Sequence, residues 1–287
     1  MKKATNNNTK NLSDSALIIC GIVRNCGKNL EKNIRTIMKV CRLAKDYYVV
    51  IFENDSTDNS KQILQKWADT EKNIHISLNT FGTITIPEKK DKVIPSFSIY
   101  RNEKMGNYRN YYLDHIEKEN LPGDYVMVVD MDVHKIYLEG LIDAFDLPYD
   151  WDALTANGAS RAFSSRFRKR YHDTYALIEC GLENIPQTKE SIVAAQYKWA
   201  FLKPDMPLFR VASAFGGLAI YKREAIKNCR YGVLKNNDEQ VESRAEHYFF
   251  HRQMAMNGHD KIFINPAMRL KYQSQFFNTV RTFFQKQ

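Results

Sequence analysis

Short apolar runs alternate with amphipathic stretches through the first 133 residues. Runs such as ALIICGIV are continuous and rich in β-branched residues, which is typical of strands buried on both faces. Apolar positions at helical spacing separate them. The predicted strands cover residues 16–23, 47–52, 74–79 and 125–129, and the predicted helices cover 29–44, 60–70 and 106–117. Strands that alternate with helices predict an α/β fold with a mainly parallel sheet.

The pattern is less regular after residue 150. A Gly-interrupted apolar run precedes a helix that should stop at Gly258, and KIFINP reads as a strand that Pro266 ends. The loop-like stretch 80–98 and the basic segment RAFSSRFRKR show no clear period. We therefore predict a disordered tail over 1–14, one domain over 15–270 with halves 15–133 and 134–270, and a C-terminal helical segment over 271–287.

Composition narrows the class of protein. The 287 residues are 44% hydrophobic and carry a formal net charge of +9, which favours anionic partners. No apolar run approaches the ~18 residues that span a bilayer, and the polar N-terminus has no apolar region typical of a signal peptide. Five cysteines without a C-x-x-C pair argue against a zinc site or a disulfide framework. We expect a cytoplasmic protein with reduced thiols.

Three predicted strands end in polar clusters. The clusters are Arg24-Asn25, Glu53-Asn54-Asp55 and Asp130-Met131-Asp132. The carboxyl ends of parallel strands meet at one edge of a sheet, where ligands bind in α/β folds. We expect the three clusters to share that edge.

The two aspartates in YVMVVDMDV indicate a cation site. On an extended strand, Asp130 and Asp132 would point the same way, with Cα atoms ~6.6 Å apart. Two carboxylates at this distance repel each other unless a positive charge lies beside them. A hard divalent cation suits them, and water or substrate phosphates would complete its coordination. The simpler alternative is that both aspartates only cap the strand end.

Six segments in order resemble the GT-A class of glycosyltransferases, which use nucleotide sugars. The ENDSTD and RN segments are closest to the capsule-associated mannosyltransferase branch. The resemblance spans roughly residues 16 to 266, and its segments are IICGIVRNCGKNL, VVIFENDSTDNS, RNEKMGNYRNYYLDHI, DYVMVVDMDV, FGGLAIYKREAI and AEHYFFHRQM.

The resemblance implies a GT-A-like, Rossmann-like three-layer sandwich with a mixed, centrally parallel sheet. It implies a nucleotide-sugar half (15–133), an acceptor half (134–270), and transfer of a UDP- or GDP-linked sugar to a glycan hydroxyl. The implied residues are Asp130, Asp132 and His247 for Mn²⁺ or Mg²⁺, Arg24, Glu53, Asp55, Arg101 and Arg109 for the nucleotide sugar, Gly216 and Gly217 for approach of the acceptor, and Glu246 as general base.

Other interpretations stay open at this point. Asp130-Met131-Asp132-Val133 also fits the nucleophile motif of haloacid-dehalogenase-type phosphatases, although that motif normally opens its domain. The net charge would suit a non-catalytic nucleic-acid binder, but no aromatic platform interleaves with basic residues, and we expect no nucleic-acid partner. Glu246 precedes a histidine where the family often has a second acid, which leaves the stereochemical outcome open. His247 could equally be a core histidine. The apolar C-terminal segment suits packing or peripheral membrane contact.

Overall fold

A computed structural model describes residues 11–161 and 168–272. Its main element is a ten-stranded sheet in which eight strands follow the order β3-β2-β1-β4-β9-β6-β12-β5, while β7 pairs with β6 and β8 with β12. The strands are β1 Ala16–Val23, β2 Asp46–Asn54, β3 Ile74–Asn79, β4 Tyr125–Val129, β5 Lys135–Ile136, β6 Ala153–Arg161, β7 Lys169–Tyr171, β8 Phe209–Arg210, β9 Leu218–Lys222 and β12 Ile262–Lys271, and a separate hairpin pairs β10 Leu234–Lys235 with β11 Ser243–Arg244.

Helices cover both faces of this sheet. Side chains alternate along β1, so that Leu17 and Ile19 enter one apolar core while Ile18 and Cys20 enter the other. Helices α1, α2 and α4 contribute to the first core, and α3, α5 and α6 contribute to the second. The result is a three-layer sandwich. The helices are α1 Gly27–Cys41, α2 Ser60–Thr70, α3 Ile99–Lys118, α4 Leu138–Ile142, α5 Lys189–Lys198 and α6 Glu246–Met256.

The sheet is parallel in its first half and mixed in its second. Strands β3, β2, β1 and β4 are parallel, so their carboxyl ends share one edge. Strand β9 lies antiparallel between β4 and β6. The two predicted halves of the domain therefore share one sheet, because β9 from the second half pairs directly with β4 from the first.

Several element boundaries differ from the prediction by one to three residues, and two differ by more. Helix α3 begins at Ile99 rather than near residue 106, and the Ser98 side chain caps it by accepting a hydrogen bond from the Arg101 amide. Strand β12 does not end at Pro266 but continues to Lys271. Its pairing with β6 shifts register between Asn265 and Arg269, so Pro266 lies in a bulge where no ladder hydrogen bond is needed from it.

The predicted terminal segments lie largely outside the described residues. Within the predicted tail, Leu12 is buried in a short 3-10 turn, Leu12–Asp14. The helical segment was predicted over 271–287, but Lys271 is the last residue of β12, and residues 273–287 are not described. In the described ranges, no helix combines the length and the apolar character that crossing a membrane requires.

The packing of α4 against the bulge of β12 predicts a specific destabilisation. A Cβ at Gly140 would lie 1.9 Å from the Ala267 carbonyl oxygen, a backbone atom that cannot rotate away. Gly140→Ala should lower the free energy of unfolding by about 1–3 kcal/mol, measured by urea denaturation. Gly106→Ala in α3 is the matched control: its nearest atoms lie at 3.5 Å, and it should be neutral or stabilising by up to about 1 kcal/mol. Equal stability of both variants would contradict the close contact at Gly140.

Candidate active site

A cavity of about 420 Å³ opens at the carboxyl end of β1 and β4. This is the edge at which the sequence placed the polar clusters. Seven of the eleven residues predicted for the site line the cavity, whereas Glu53, Asp55, Gly216 and Gly217 do not. The seven are Arg24, Arg101, Arg109, Asp130, Asp132, Glu246 and His247.

The aspartate pair lies in a turn immediately after β4. The strand ends at Val129, so the extended geometry expected for Asp130 and Asp132 was wrong, although both residues face the cavity. The buried amide of Asn33 on α1 holds the turn by donating to the carbonyl oxygens of Met131 (2.9 Å) and Val133 (2.8 Å). The Asp130 amide donates to the Gly217 carbonyl oxygen at 2.9 Å. These contacts to backbone atoms set the position of the aspartates independently of side-chain charge.

Arg109 on α3 is buried between two carboxylates. Its Nε donates to Glu246 Oε1 at 3.0 Å, and its Nη2 lies 3.7 Å from Asp130 Oδ1, with only 4% of the side chain exposed. The guanidinium also lies over the rings of Phe215 and Tyr231, 5.1 and 5.7 Å from their centroids. Because an arginine stays charged in proteins, Arg109 compensates Glu246 and part of the charge of Asp130.

Negative charge is nevertheless in excess around this arginine. Removal from water raises the pKa of Asp130, and the same effect together with the nearby Asp130 carboxylate raises the pKa of Asp132 to about 6. A third aspartate, Asp173, lines the cavity, and its pKa is raised to about 8 by burial, then by Asp130 and by Glu246. Carboxylates in this state favour protonation or a bound cation. The cavity is thus suited to a cation.

Tyr272, which stacks on His172, contacts the Asp130 carboxylate oxygen that does not face Arg109. Tyr272 Oη donates to Asp130 Oδ2 at 2.8 Å, and its ring stacks on His172 with centroids 3.5 Å apart. Burial lowers the pKa of His172 to about 4, so this ring is neutral at pH 7. The sequence interpretation missed Asp173, Tyr272 and His172. None belongs to a motif, and Tyr272 lies 142 residues from Asp130 in the chain.

His247 lies in the wall of the cavity. Its ring stacks on Phe215 with centroids 3.8 Å apart, and neither ring nitrogen has a hydrogen-bond partner among the described residues. Burial, then Arg109, lowers its pKa well below the usual range, so the ring is neutral and able to act as a ligand. Among the described residues, no group of three or more His, Cys, Asp or Glu side chains is arranged to hold a metal ion. The role of His247 therefore stays a prediction.

The carboxylates of Glu53 and Asp55 are engaged with the local backbone. Glu53 is buried and accepts from the Ser56 amide at 2.8 Å. Asp55, with a φ of 53°, accepts from the amides of Phe81 (2.7 Å) and Gly82 (2.8 Å). Asn54 is the residue of this cluster that reaches the cavity. The expected contacts of Glu53 and Asp55 with the nucleotide stay predictions.

Gly216 and Gly217 allow a close approach, but the approaching groups belong to this chain. Their φ angles are 64° and 94°, in the left-handed region that favours glycine. A Cβ at Gly217 would lie 2.0 Å from Tyr272 Oη. A Cβ at Gly216 would lie 2.1 Å from the Ala156 carbonyl oxygen. Their contribution to acceptor binding stays a prediction, while the structure shows that Gly217 makes room for Tyr272 beside Asp130 and Gly216 makes room for the Ala156 backbone.

Two further arginines line the cavity. Arg24 follows β1 and donates from Nη1 to Thr85 Oγ1 at 2.8 Å. Arg101 lies in the first turn of α3. Both are half-buried, and within the described ranges neither has a carboxylate within the 4 Å of an ion pair. In contrast to Arg109, they remain available to an anionic ligand.

Comparison with solved structures confirms the predicted GT-A-type fold. The S. aureus TarS fragment 1–349 in complex with UDP aligns with a TM-score of 0.50 and 16% identity, covering 90% of this chain and 60% of that chain. TarS also aligns with a TM-score of 0.50 and 16% identity, covering 93% of this chain and 38% of that chain. The mannosyltransferase PcManGT from Pyrobaculum calidifontis, in complex with GDP-Man and Mn²⁺, aligns with a TM-score of 0.48 and 14% identity, covering 90% of this chain and 56% of that chain.

This chain spans less than two thirds of the length of those three chains. At such identities the likeness establishes the shared fold: a mixed α/β sandwich with a centrally parallel sheet. No family model matches the sequence, and neither does any curated protein.

The raised pKa of Asp173 predicts a pH-dependent effect on stability. Between the unfolded pKa near 3.9 and the folded value of about 8, the folded state binds more protons, so stability falls as pH rises through this window. Asp173→Asn removes the titrating group and suits the φ of 62°. In EDTA, the variant should be more stable than the wild type at pH 8.5, and the difference should disappear near pH 4. Urea unfolding across this range measures it, and a pH-independent difference would contradict the assignment.

Proposed function

We propose that this protein is a glycosyltransferase that moves a sugar from a nucleotide diphosphate to an acceptor hydroxyl. One observation carries the proposal: an aspartate pair and two available arginines surround a cavity at the carboxyl edge of the parallel strands, in a GT-A-type fold. A nucleoside diphosphate bears the negative charge that arginines and a cation would bind together. UDP in the structure of TarS supports such a ligand.

The residues at the end of β4 fit a divalent cation. Asp130 and Asp132 supply hard oxygen donors, and removal from water raises the pKa of both, a cost that a bound cation would offset. Mn²⁺ or Mg²⁺ would be held by these two carboxylates, with water and phosphate oxygens as further ligands and His247 as a candidate. When bound, the cation supplies charge stabilisation to the departing diphosphate.

The three arginines of the cavity have different roles in this proposal. Arg24 and Arg101 bind the diphosphate, because guanidinium groups match phosphate oxygens bidentately. Arg109 is already paired with Glu246 and Asp130. It therefore positions these carboxylates and balances their charge, instead of serving primarily as the phosphate ligand that the sequence suggested.

Glu246 is the proposed general base. It is the first residue of α6 and is buried, and its Oε1 accepts from Arg109. The base takes the proton of the acceptor hydroxyl, the hydroxyl oxygen attacks the anomeric carbon, and the bond to the nucleoside diphosphate breaks with its electron pair. Direct attack of this kind inverts the anomeric configuration.

The alternative functions receive less support from the fold. Strand β4 is fourth in the chain, after three parallel strands, so Asp130 does not open the domain as a phosphatase nucleophile would. Asp130 is also shared between Tyr272 and Arg109, an arrangement that holds a carboxylate in place.

Loss of one aspartate should weaken cation binding. Asp132→Asn removes one hard charged donor, and the affinity for Mn²⁺ in the presence of UDP or GDP should fall more than about tenfold, since even outer-shell changes at metal sites cost that much. Calorimetric titration measures it, and Asp146→Asn, at an exposed position, is the control. An unchanged affinity in Asp132→Asn would remove the aspartate pair from the site. Hydrolysis of phosphomonoesters with a trapped phospho-Asp130 would favour the phosphatase alternative.

A change at Glu246 should separate binding from turnover. Glu246→Gln keeps the shape of the side chain and removes its basicity, so kcat for sugar transfer should fall by about 10²–10⁴. The Kd for the nucleoside diphosphate should change by less than about threefold, because the phosphate ligands are untouched. The exposed Glu239→Gln is the control and should retain full activity. Turnover equal to that of the control would exclude Glu246 as the base.

A further inference from the structure

A second cavity, of about 750 Å³, lies beside the candidate active site. Its lining contains no aspartate or glutamate among the described residues. We call it the basic groove, and its cationic residues are Lys28, Arg161, Lys169, Lys203, Arg269 and Lys271. Most of these cations belong to β6, β7 and β12, near the edge of the sheet that β5 forms.

Five of the six cations of the basic groove have no carboxylate partner within the described part of the chain. No carboxylate there comes within 4 Å of the ammonium groups of Lys28, Lys169, Lys203 and Lys271 or of the Arg269 guanidinium, whereas many other surface cations form such pairs. Burial, then repulsion from Arg161 and Arg269, lowers the pKa of Lys169. Like charges held together in this way are stabilised by a multivalent anion.

Two of these side chains are held in place. The Lys169 ammonium donates to the Leu202 carbonyl oxygen at 2.7 Å, and the Arg269 guanidinium stacks over Tyr137, 4.2 Å from the ring centroid. A cation fixed in this way loses less conformational entropy when it binds an anion than a mobile surface lysine does. The groove is therefore partly preorganised.

One side chain separates the basic groove from the aspartate pair. Tyr272 lines the groove, while its Oη donates to Asp130 at 2.8 Å. His172, which stacks on Tyr272, lines the candidate active site. A ligand in the groove would consequently lie close to the site at which the sugar is transferred.

We propose that the basic groove binds the acceptor and that the acceptor carries several phosphate groups. The proposal rests on the proposed glycosyl transfer. The diphosphate of the donor already has Arg24, Arg101 and the aspartate-bound cation, so the groove serves a second anion. Several cations along its wall suit more than one phosphate, and its volume suits a sugar-phosphate unit. The C-terminal residues 273–287 contain Arg281, Lys286 and no acid, so their charge is not complementary to the groove.

Binding of inorganic tripolyphosphate tests the groove without requiring activity. Calorimetry in EDTA excludes divalent cations from the donor site and from the probe. The triple variant Lys169→Gln, Arg269→Gln, Lys271→Gln should bind at least about tenfold more weakly than the wild type. The control triple variant Lys39→Gln, Lys66→Gln, Lys72→Gln removes the same charge at exposed positions on α1, on α2 and just before β3. It should bind within about twofold of the wild type. Binding should weaken with salt.

A second variant protects the test against misfolding. Lys28→Gln with Lys203→Gln changes two exposed groove residues and should weaken binding several-fold with an unchanged circular dichroism spectrum. Equal affinities in the wild type, groove variants and control would overturn the proposal, because the anion would then bind elsewhere. An equal loss in the groove and control triple variants would also overturn it, because binding would then follow net charge alone.

Further measurements identify the kind of ligand and separate the groove proposal from the proposed glycosyl transfer. Binding of UDP or GDP with Mn²⁺ should survive in the groove variants, and its loss there would show that the groove belongs to the donor site, which overturns the proposal. If the wild type binds tripolyphosphate but no nucleoside diphosphate, the transferase assignment fails while the anion site stands. Binding only to phosphatidylglycerol vesicles, or tighter binding of an oligodeoxythymidylate than of tripolyphosphate, would replace the phosphorylated acceptor by a membrane surface or by nucleic acid.

Discussion

The arrangement of the candidate site depends on one buried ion pair, between Arg109 and Glu246. The two residues are 137 positions apart in the chain, and their 3.0 Å contact joins α3 to the first turn of α6. A buried carboxylate without such a partner would cost several kcal/mol or become protonated. Arg109 also lies 3.7 Å from Asp130. The same guanidinium therefore fixes Glu246 relative to the end of β4 and allows both carboxylates to lie in one cavity.

Hydrogen bonds from uncharged groups fix the turn that carries Asp130 and Asp132. The turn after β4 is held by the Asn33 amide and by the Gly217 carbonyl oxygen, and both bond to backbone atoms. Such contacts do not depend on the charge of the carboxylates. The aspartates are therefore preorganised for a ligand. The cost is that their carboxylates are removed from water, which raises the pKa of both, and the Asp130 carboxylate raises the pKa of Asp132 further.

Much of the fold could be predicted because burial on both faces leaves a continuous apolar pattern. Strand β1 and the apolar run of β4 match the predicted bounds for this reason, whereas β3, which is mostly half-buried, was predicted from its alternating pattern. The start of α3 could not, because residues 99–105 show little apolar period. The rule that polar residues at the ends of parallel strands meet at one edge located the clusters of the site. It could not give the direction of each side chain, and Glu53 is buried away from the cavity. Asp173 and Tyr272 follow short or bulged strands, and only tertiary contacts with β4 bring them to the site.

Tyr272 lies between two cavities that differ in charge. One cavity combines Asp130, Asp132, Asp173 and Glu246 with three arginines, whereas the lining of the basic groove contains cations and no aspartate or glutamate among the described residues. Charges this close to each other interact more strongly than they would in open water, because the protein screens them less. A cation then suits one side and a polyanion suits the other. Each ligand reduces a repulsion that folding alone leaves in place, so both cavities gain most when both ligands are bound.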